Sequence, residues 1–188
     1  MLPPSKAFLL DFTTGLIIAV SLIHVFAAVI WIGGNFFELM TLVPALRRNS
    51  KRVQDEVATT VPLQEHKNSA ISATVTIIAG PILAYLYSGG NMATFTTTSW
   101  GLAILSGGTL AIILYTVGWY AGSIRVKIAE LTRAKIANSA STEDGNKQTI
   151  SFEASQISPL SERLTRMIYA ENILGAMVLF LMILAATI

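Results

Sequence analysis

Four long apolar stretches, at about residues 13–39, 69–87, 100–124 and 167–188, constrain this chain more than any other feature. Within them only Glu38 in the first and Glu171 in the last carry a full charge. About 20 mostly apolar residues suffice for a helix to cross a hydrocarbon core of about 30 Å. Each stretch therefore reads as a membrane-spanning helix. The expected fold class is all-α, an integral membrane four-helix bundle forming one membrane domain over 1–188. At 188 residues, 53% hydrophobic, with a mean hydropathy of +0.60, the chain is too apolar for a soluble domain of its size. Four spans leave no room for a second sizeable domain.

The placement of charge supplies an orientation. Of 13 Lys and Arg residues, all but Lys6 fall in the first connection, from Arg47 to Lys67, or between Arg125 and Arg166. The second connection, 88–99, has no charge. By the positive-inside rule, connections one and three are cytoplasmic and both termini lie outside, in a multi-pass protein of the plasma membrane. The first apolar run exceeds a 7–15-residue signal-peptide core, and residues 1–12 are only weakly basic, so it reads as a retained span. A net charge of +2 not spread over a soluble face gives no nucleic-acid signature. With no Cys, disulfides, thiolate zinc, iron–sulfur clusters and attached c-type haem are excluded.

Local signals refine this plan. Gly33-Gly34-Asn35 interrupts span one, and apolar character persists to Leu46, so the helix is expected to tilt, kink or project. The first connection, around Pro62, has room for a short surface helix. Gly80-Pro81 predicts a kink in span two and a carbonyl freed for another partner. Span three continues into an amphipathic extension, 125–134, with its charges in solvent. The polar segment 138–158 is expected to be mobile, and Ser158-Pro159 reads as the N-cap and first residue of the last helix. There is no internal repeat, which disfavours an inverted-repeat transporter.

Span one holds the strongest functional signal. At 100° per residue, Ser21, His24, Ala28, Trp31, Asn35, Glu38 and Thr41 share one face, and such a stripe should look into the bundle rather than at lipid. His24 lies near mid-membrane, and Glu38 about 21 Å further along at 1.5 Å per residue. Neutral His24 could ligate haem iron or copper, or donate one interhelical hydrogen bond. Glu171, beside Asn172, could relay protons or hold a cation, or sit at headgroup level paired with Arg166 or Arg47. A Glu38–Glu171 cluster with arginines nearby is geometrically allowed. These two are the catalytic candidates; His24, Trp31 and Asn35 are the cofactor-binding candidates, with His24 as the metal ligand.

Other features read as structural. Gly118-Trp119-Tyr120-Ala121-Gly122 is a small-xxx-small pattern for close helix approach, and Trp100, Trp119 and Tyr120 suit membrane interfaces. Ser72, Thr74 and Thr76 can bond backbone carbonyls. His66, in the polar run Gln64-Glu65-His66-Lys67, reads as solvated. No HExxH pair, GxSxG elbow or phosphate-binding glycine loop is present. Two histidines, no cysteine and no clustered methionines make a multi-ligand copper site hard to build.

The run Leu22-Ile23-His24-Val25-Phe26-Ala27-Ala28-Val29-Ile30-Trp31-Ile32-Gly33-Gly34 resembles the H-(x)6-W-x-G-G opening helix of copper-resistance protein D-like membrane domains. It is also similar to the opening helix of four-span protoporphyrinogen oxidases of the HemJ type. The basic first connection, the Gly-Pro of span two and the basic approach to span four fit the same plan. Glu171-Asn172 stands where the oxidases carry an Asn-Glu pair in reversed order. The oxidases continue with a Pro-Arg-Leu-Phe-type segment where this chain reads Asn35-Phe36-Phe37-Glu38, and they open span three with a lysine it lacks. The resemblance implies a four-span fold and a site for b-type haem, or copper, at His24, and it carries over no reaction. In a redox or metal-handling protein of this group Trp31 would pack on the cofactor, and Glu38 with Glu171 would handle protons or charge balance. Two other readings stay open: a cofactor-free accessory or scaffold subunit of a larger membrane complex, and, more weakly, a small-solute permease with the polar stripe as its pathway. The expected partners are the lipid bilayer and either further copies of the chain, as a homo-oligomer, or a larger membrane complex.

Overall fold

The computed structural model describes the backbone of residues 4–140 and 147–188, and the side chains of 12–138 and 155–188. Its elements are α1 (Pro4–Phe37), a π-helical turn (Glu38–Leu42), α2 (Val43–Arg47), α3 (Lys51–Ala58), α4 (Val61–Tyr87), α5 (Thr94–Thr97), α6 (Ser99–Ala140) and α7 (Lys147–Thr187). No strand occurs among the described residues. Four helical stretches, Phe12–Arg47, Lys51–Tyr87, Ser99–Asn138 and Ser155–Thr187, are long and apolar enough to cross a membrane. Leu22, Ile23, Phe26, Val29, Ile78, Ile112, Ile173, Phe180 and Ile183 stand exposed on their outer faces, a surface suited to lipid.

The bundle is made of two tight helix pairs. α6 packs most extensively on α7 and α1 on α4; the α4–α6 contact joins the pairs, and α1 meets α7 only lightly. Between apolar helices in lipid, association rests on van der Waals fit and small residues rather than on water exclusion. Ala73, Ala121 and Ala129 are buried accordingly. The apolar centre draws on all four long helices: Trp31 and Ile32, Ala73, Ala111 and Leu114, and Val178, with Phe36, Ile77 and Tyr115 packed against them.

Several local expectations change in the fold. α1 runs unbroken through Gly33-Gly34 and widens only at Glu38, where the Val43 N–H bonds the Glu38 carbonyl. Pro44, lacking an N–H, cannot close the α-helical bond to Met40 just beyond this turn. The surface helix of connection one is α3. The last helix does not begin at Ser158-Pro159. It starts at Lys147, with Pro159 inside it. The cost of an internal proline, about 3 kcal/mol, is outweighed here by the long packing of α7 along α6. Residues 141–146 of the segment expected to be mobile lie outside the described residues; its flanks, to Ala140 and from Lys147, are helical.

Connection two turns through Gly89 (φ +60°) and Gly90 (φ +80°), a left-handed conformation that glycine adopts without steric cost. At the opposite end, α3 is tied to the α6 extension. Arg133 donates to the Thr59 carbonyl (2.8 Å), and Lys135 pairs with Asp55 (2.8 Å). At 42 residues, α6 is about 63 Å long at 1.5 Å per residue, twice the hydrocarbon thickness, so it projects well past it.

Candidate functional site: an ionic cluster drawn from four helices

The stripe on α1 is where the periodicity puts it. Trp31, Asn35 and Glu38 are buried, Ser21, His24 and Ala28 half-buried, and Thr41 alone is exposed. The stripe leads down to the principal site. Arg125 on α6 donates from Nη2 to Glu38 Oε2 (2.6 Å) and from Nε to Glu38 Oε1 (3.4 Å), a two-pronged charge-assisted contact. The same Nη2 lies 3.5 Å from Glu171 Oε2 on α7. Glu38, Arg125 and Glu171 are 3%, 4% and 2% exposed.

Arg125 overturns two expectations. It was expected in solvent on an amphipathic extension, yet it is buried, because two carboxylates from other helices face it. Glu171 pairs with it rather than with Arg166, which pairs with its own-helix neighbour Glu162 (2.5 Å). Asn172, next to Glu171, ties α7 to α1: its Nδ2 donates to the Asn35 carbonyl (3.2 Å) and to that of Ile168 (2.8 Å).

The fourth helix adds Glu65 and His66 from α4. A cavity of about 20 Å³ is lined by Trp31, Asn35, Glu65, His66, Arg125 and Glu171, among others. That is room for about one water. Both α4 residues are half-buried, so His66 is not the solvated side chain its polar run suggested. Sequence reasoning missed this pair because the polar run Gln64-Glu65-His66-Lys67 reads as solvated. The available signal was the absence of side chains at Gly34 and Gly122.

Glycines on neighbouring helices make space for Glu65, Glu171, His66 and His24. A Cβ at Gly34 would lie 3.1 Å from Glu65 Oε1, and one at Gly118 would lie 3.4 Å from Glu171 Oε1. One at Gly122 would overlap the His66 ring at 2.0 Å, and one at Gly80 would lie 3.2 Å from His24 Cε1. The small-xxx-small pattern of α6 thus receives polar side chains.

His24 lies elsewhere, between α1 and α4. Its Nδ1 is 3.1 Å from the Thr76 carbonyl, one residue before Ile77, whose carbonyl Pro81 leaves without its helical donor. A histidine whose Nδ1–H is held by a carbonyl presents Nε2 outward, the orientation of a metal-bound imidazole. The other cofactor candidates do not fit an enclosed haem. Trp31 belongs to the packed apolar centre, and the cavity it shares with Asn35 is far below the roughly 300–1,000 Å³ of sites for larger ligands. Among the described residues no three His, Asp or Glu converge as a metal-ligating group.

Ser72, Thr74 and Thr76 each bond a carbonyl of their own helix one turn back, as expected (2.8–2.9 Å). Trp119 is exposed, and Tyr120 carries the Arg163 guanidinium 5.1 Å from its ring centroid, an arrangement suited to a membrane interface. No family model, curated protein or solved structure matches the chain.

Proposed function

We propose that this chain is an integral membrane protein that binds and releases protons at the carboxyl groups of Glu38 and Glu171, held around the permanently charged Arg125, and uses that exchange to drive a membrane-coupled step. The observation that carries the reading is the sharing of one buried guanidinium by two buried carboxyl groups on different helices. Ionisable groups at membrane depth are expensive and are by default functional. One arginine balances one carboxylate. Burying the remaining negative charge is costly, and an exchangeable proton completes the cluster.

Infrared difference spectra of the protein in lipid nanodiscs, taken between acid and alkaline conditions, test this. A buried carboxyl C=O band should titrate and vanish in Glu171→Gln, but persist in Glu162→Gln, which removes an exposed carboxylate. A spectrum with no titrating buried band, or one unaffected by Glu171→Gln, rejects the reading.

A second reading is favoured by the orientation of His24 on the Thr76 carbonyl. In it, His24 ligates b-type haem or copper at the α1–α4 surface, the remaining ligands coming from another copy or another subunit. An oxidised and dithionite-reduced optical spectrum, with metal analysis, tests it. A Soret band lost in His24→Ala supports the ligand role, and a colourless, metal-free sample removes it.

A further inference from the structure

Resting on that proton-binding reading, we infer that Glu65 and His66 form the port through which protons reach the cluster, and that the port opens only toward the basic end of the bundle. Two features of Glu65 point to it. Glu65 Oε1 is sealed from solvent and has no hydrogen-bond partner. It stands 3.1 Å from where a Cβ of Gly34 would be, in a gap that glycine leaves open. A buried, unsatisfied carboxyl oxygen is costly unless a water or a proton meets it.

The cavity supplies the water. Its volume suits one molecule, and Asn35, Ser69, Glu65 and Glu171 offer polar atoms around it. The water therefore links Glu65 to Glu171, and Glu171 to Arg125 and Glu38. His66 lines the same cavity and is half-buried against Gly122, on the first turns of α4 after the basic connection one. In the other direction the path is closed: Trp31, Ile32, Ala73, Leu114 and Val178 form a packed apolar layer. Trp31 and Val178 each precede or follow the ionic layer by seven residues, about 10 Å of helix. Neither His24 nor Ser21 reaches the cluster through that layer.

Each transfer moves one proton and no other atom. Imidazolium at His66 gives its proton to the Glu65 carboxylate, returning to neutral imidazole. Protonated Glu65 then passes a proton through the water to Glu171. The charged groups facing the path are Glu38, Glu65, His66, Arg125 and Glu171, one or more from each long helix.

A pH jump followed by time-resolved infrared on the nanodisc-embedded protein distinguishes port from cluster. Glu65→Gln and His66→Gln should each slow the appearance of the Glu171 band about 100-fold while leaving its final amplitude intact. Gly122→Ala keeps every titratable group but displaces the His66 ring, and should slow it as well. Unchanged rates in Glu65→Gln and His66→Gln overturn the port while the cluster stands. A wild-type protein with no titrating band removes the cluster and the port together.

Discussion

Arg125 Nη2 lies 2.6 Å from Glu38 Oε2 across 87 positions of sequence, and this contact joins the α1–α4 pair to the α6–α7 pair. The π-helical turn at Glu38–Leu42 begins at the residue that makes it. Wide turns of this kind occur often at functional sites, where the extra residue re-aims a side chain. Here Glu38 keeps the register of α1, and the residues that follow it are re-aimed, so that Thr41 leaves the inward stripe.

Removing the guanidinium should be worse than removing one carboxylate. Arg125→Met leaves Glu38 and Glu171 facing each other without a counter-charge and is expected to destabilise the bundle by about 3–5 kcal/mol. The double variant Arg125→Met with Glu38→Gln should recover part of that loss. Thermal unfolding in mild detergent measures both, and a double variant no more stable than Arg125→Met would disprove the coupling.

The glycines should separate by what faces them. Gly122→Ala places a methyl on the His66 ring and is expected to lower the melting temperature clearly. At Gly33 nothing lies within 4 Å of the added Cβ, so Gly33→Ala should be neutral or stabilising by up to about 1 kcal/mol. Equal effects at the two sites would show that His66 does not pack on α6.

Leu114 is fully buried at the centre of the apolar layer. Leu114→Ala is expected to cost about 2 kcal/mol, the lower end of the range for core truncations. The reason is physical: in lipid the lost term is packing alone, because the unfolded helices already sit in hydrocarbon. Unfolding by denaturant in detergent reads this loss. It should also open the layer enough for protons to leak from the far side.

Orientation is accessible because the chain has no Cys. Single substitutions Asn91→Cys, in connection two, and Lys51→Cys, at the start of α3, both stand exposed. A membrane-impermeant thiol reagent applied to intact cells should label Asn91→Cys only. Labelling of Lys51→Cys alone would invert the topology derived from the basic connections.

The inward stripe of α1 was legible because one helix carries its own angular record. At 100° per residue, Trp31, Asn35 and Glu38 had to share a face, whatever the neighbours were. Glu65 and His66 were not legible by that route. They lie in a polar run where periodicity marks no buried face, and only the gaps at Gly34 and Gly122 let them turn inward. Arg125 was misplaced for a related reason. A basic residue just past an apolar run ordinarily marks the water boundary, and its burial depends on two carboxylates distant in the chain.

By itself the sequence determined four long apolar helices, because a hydrocarbon solvent demands about 20 apolar residues and internally satisfied backbone bonds in each. It also determined which face of α1 points inward. Only the tertiary structure decided that Glu38, Glu65, Arg125 and Glu171 meet. Local rules govern a helix's own length and faces, whereas the depth and rotation at which four helices dock follow from small-residue fit and from charge pairing between them, and neither is encoded in any one segment.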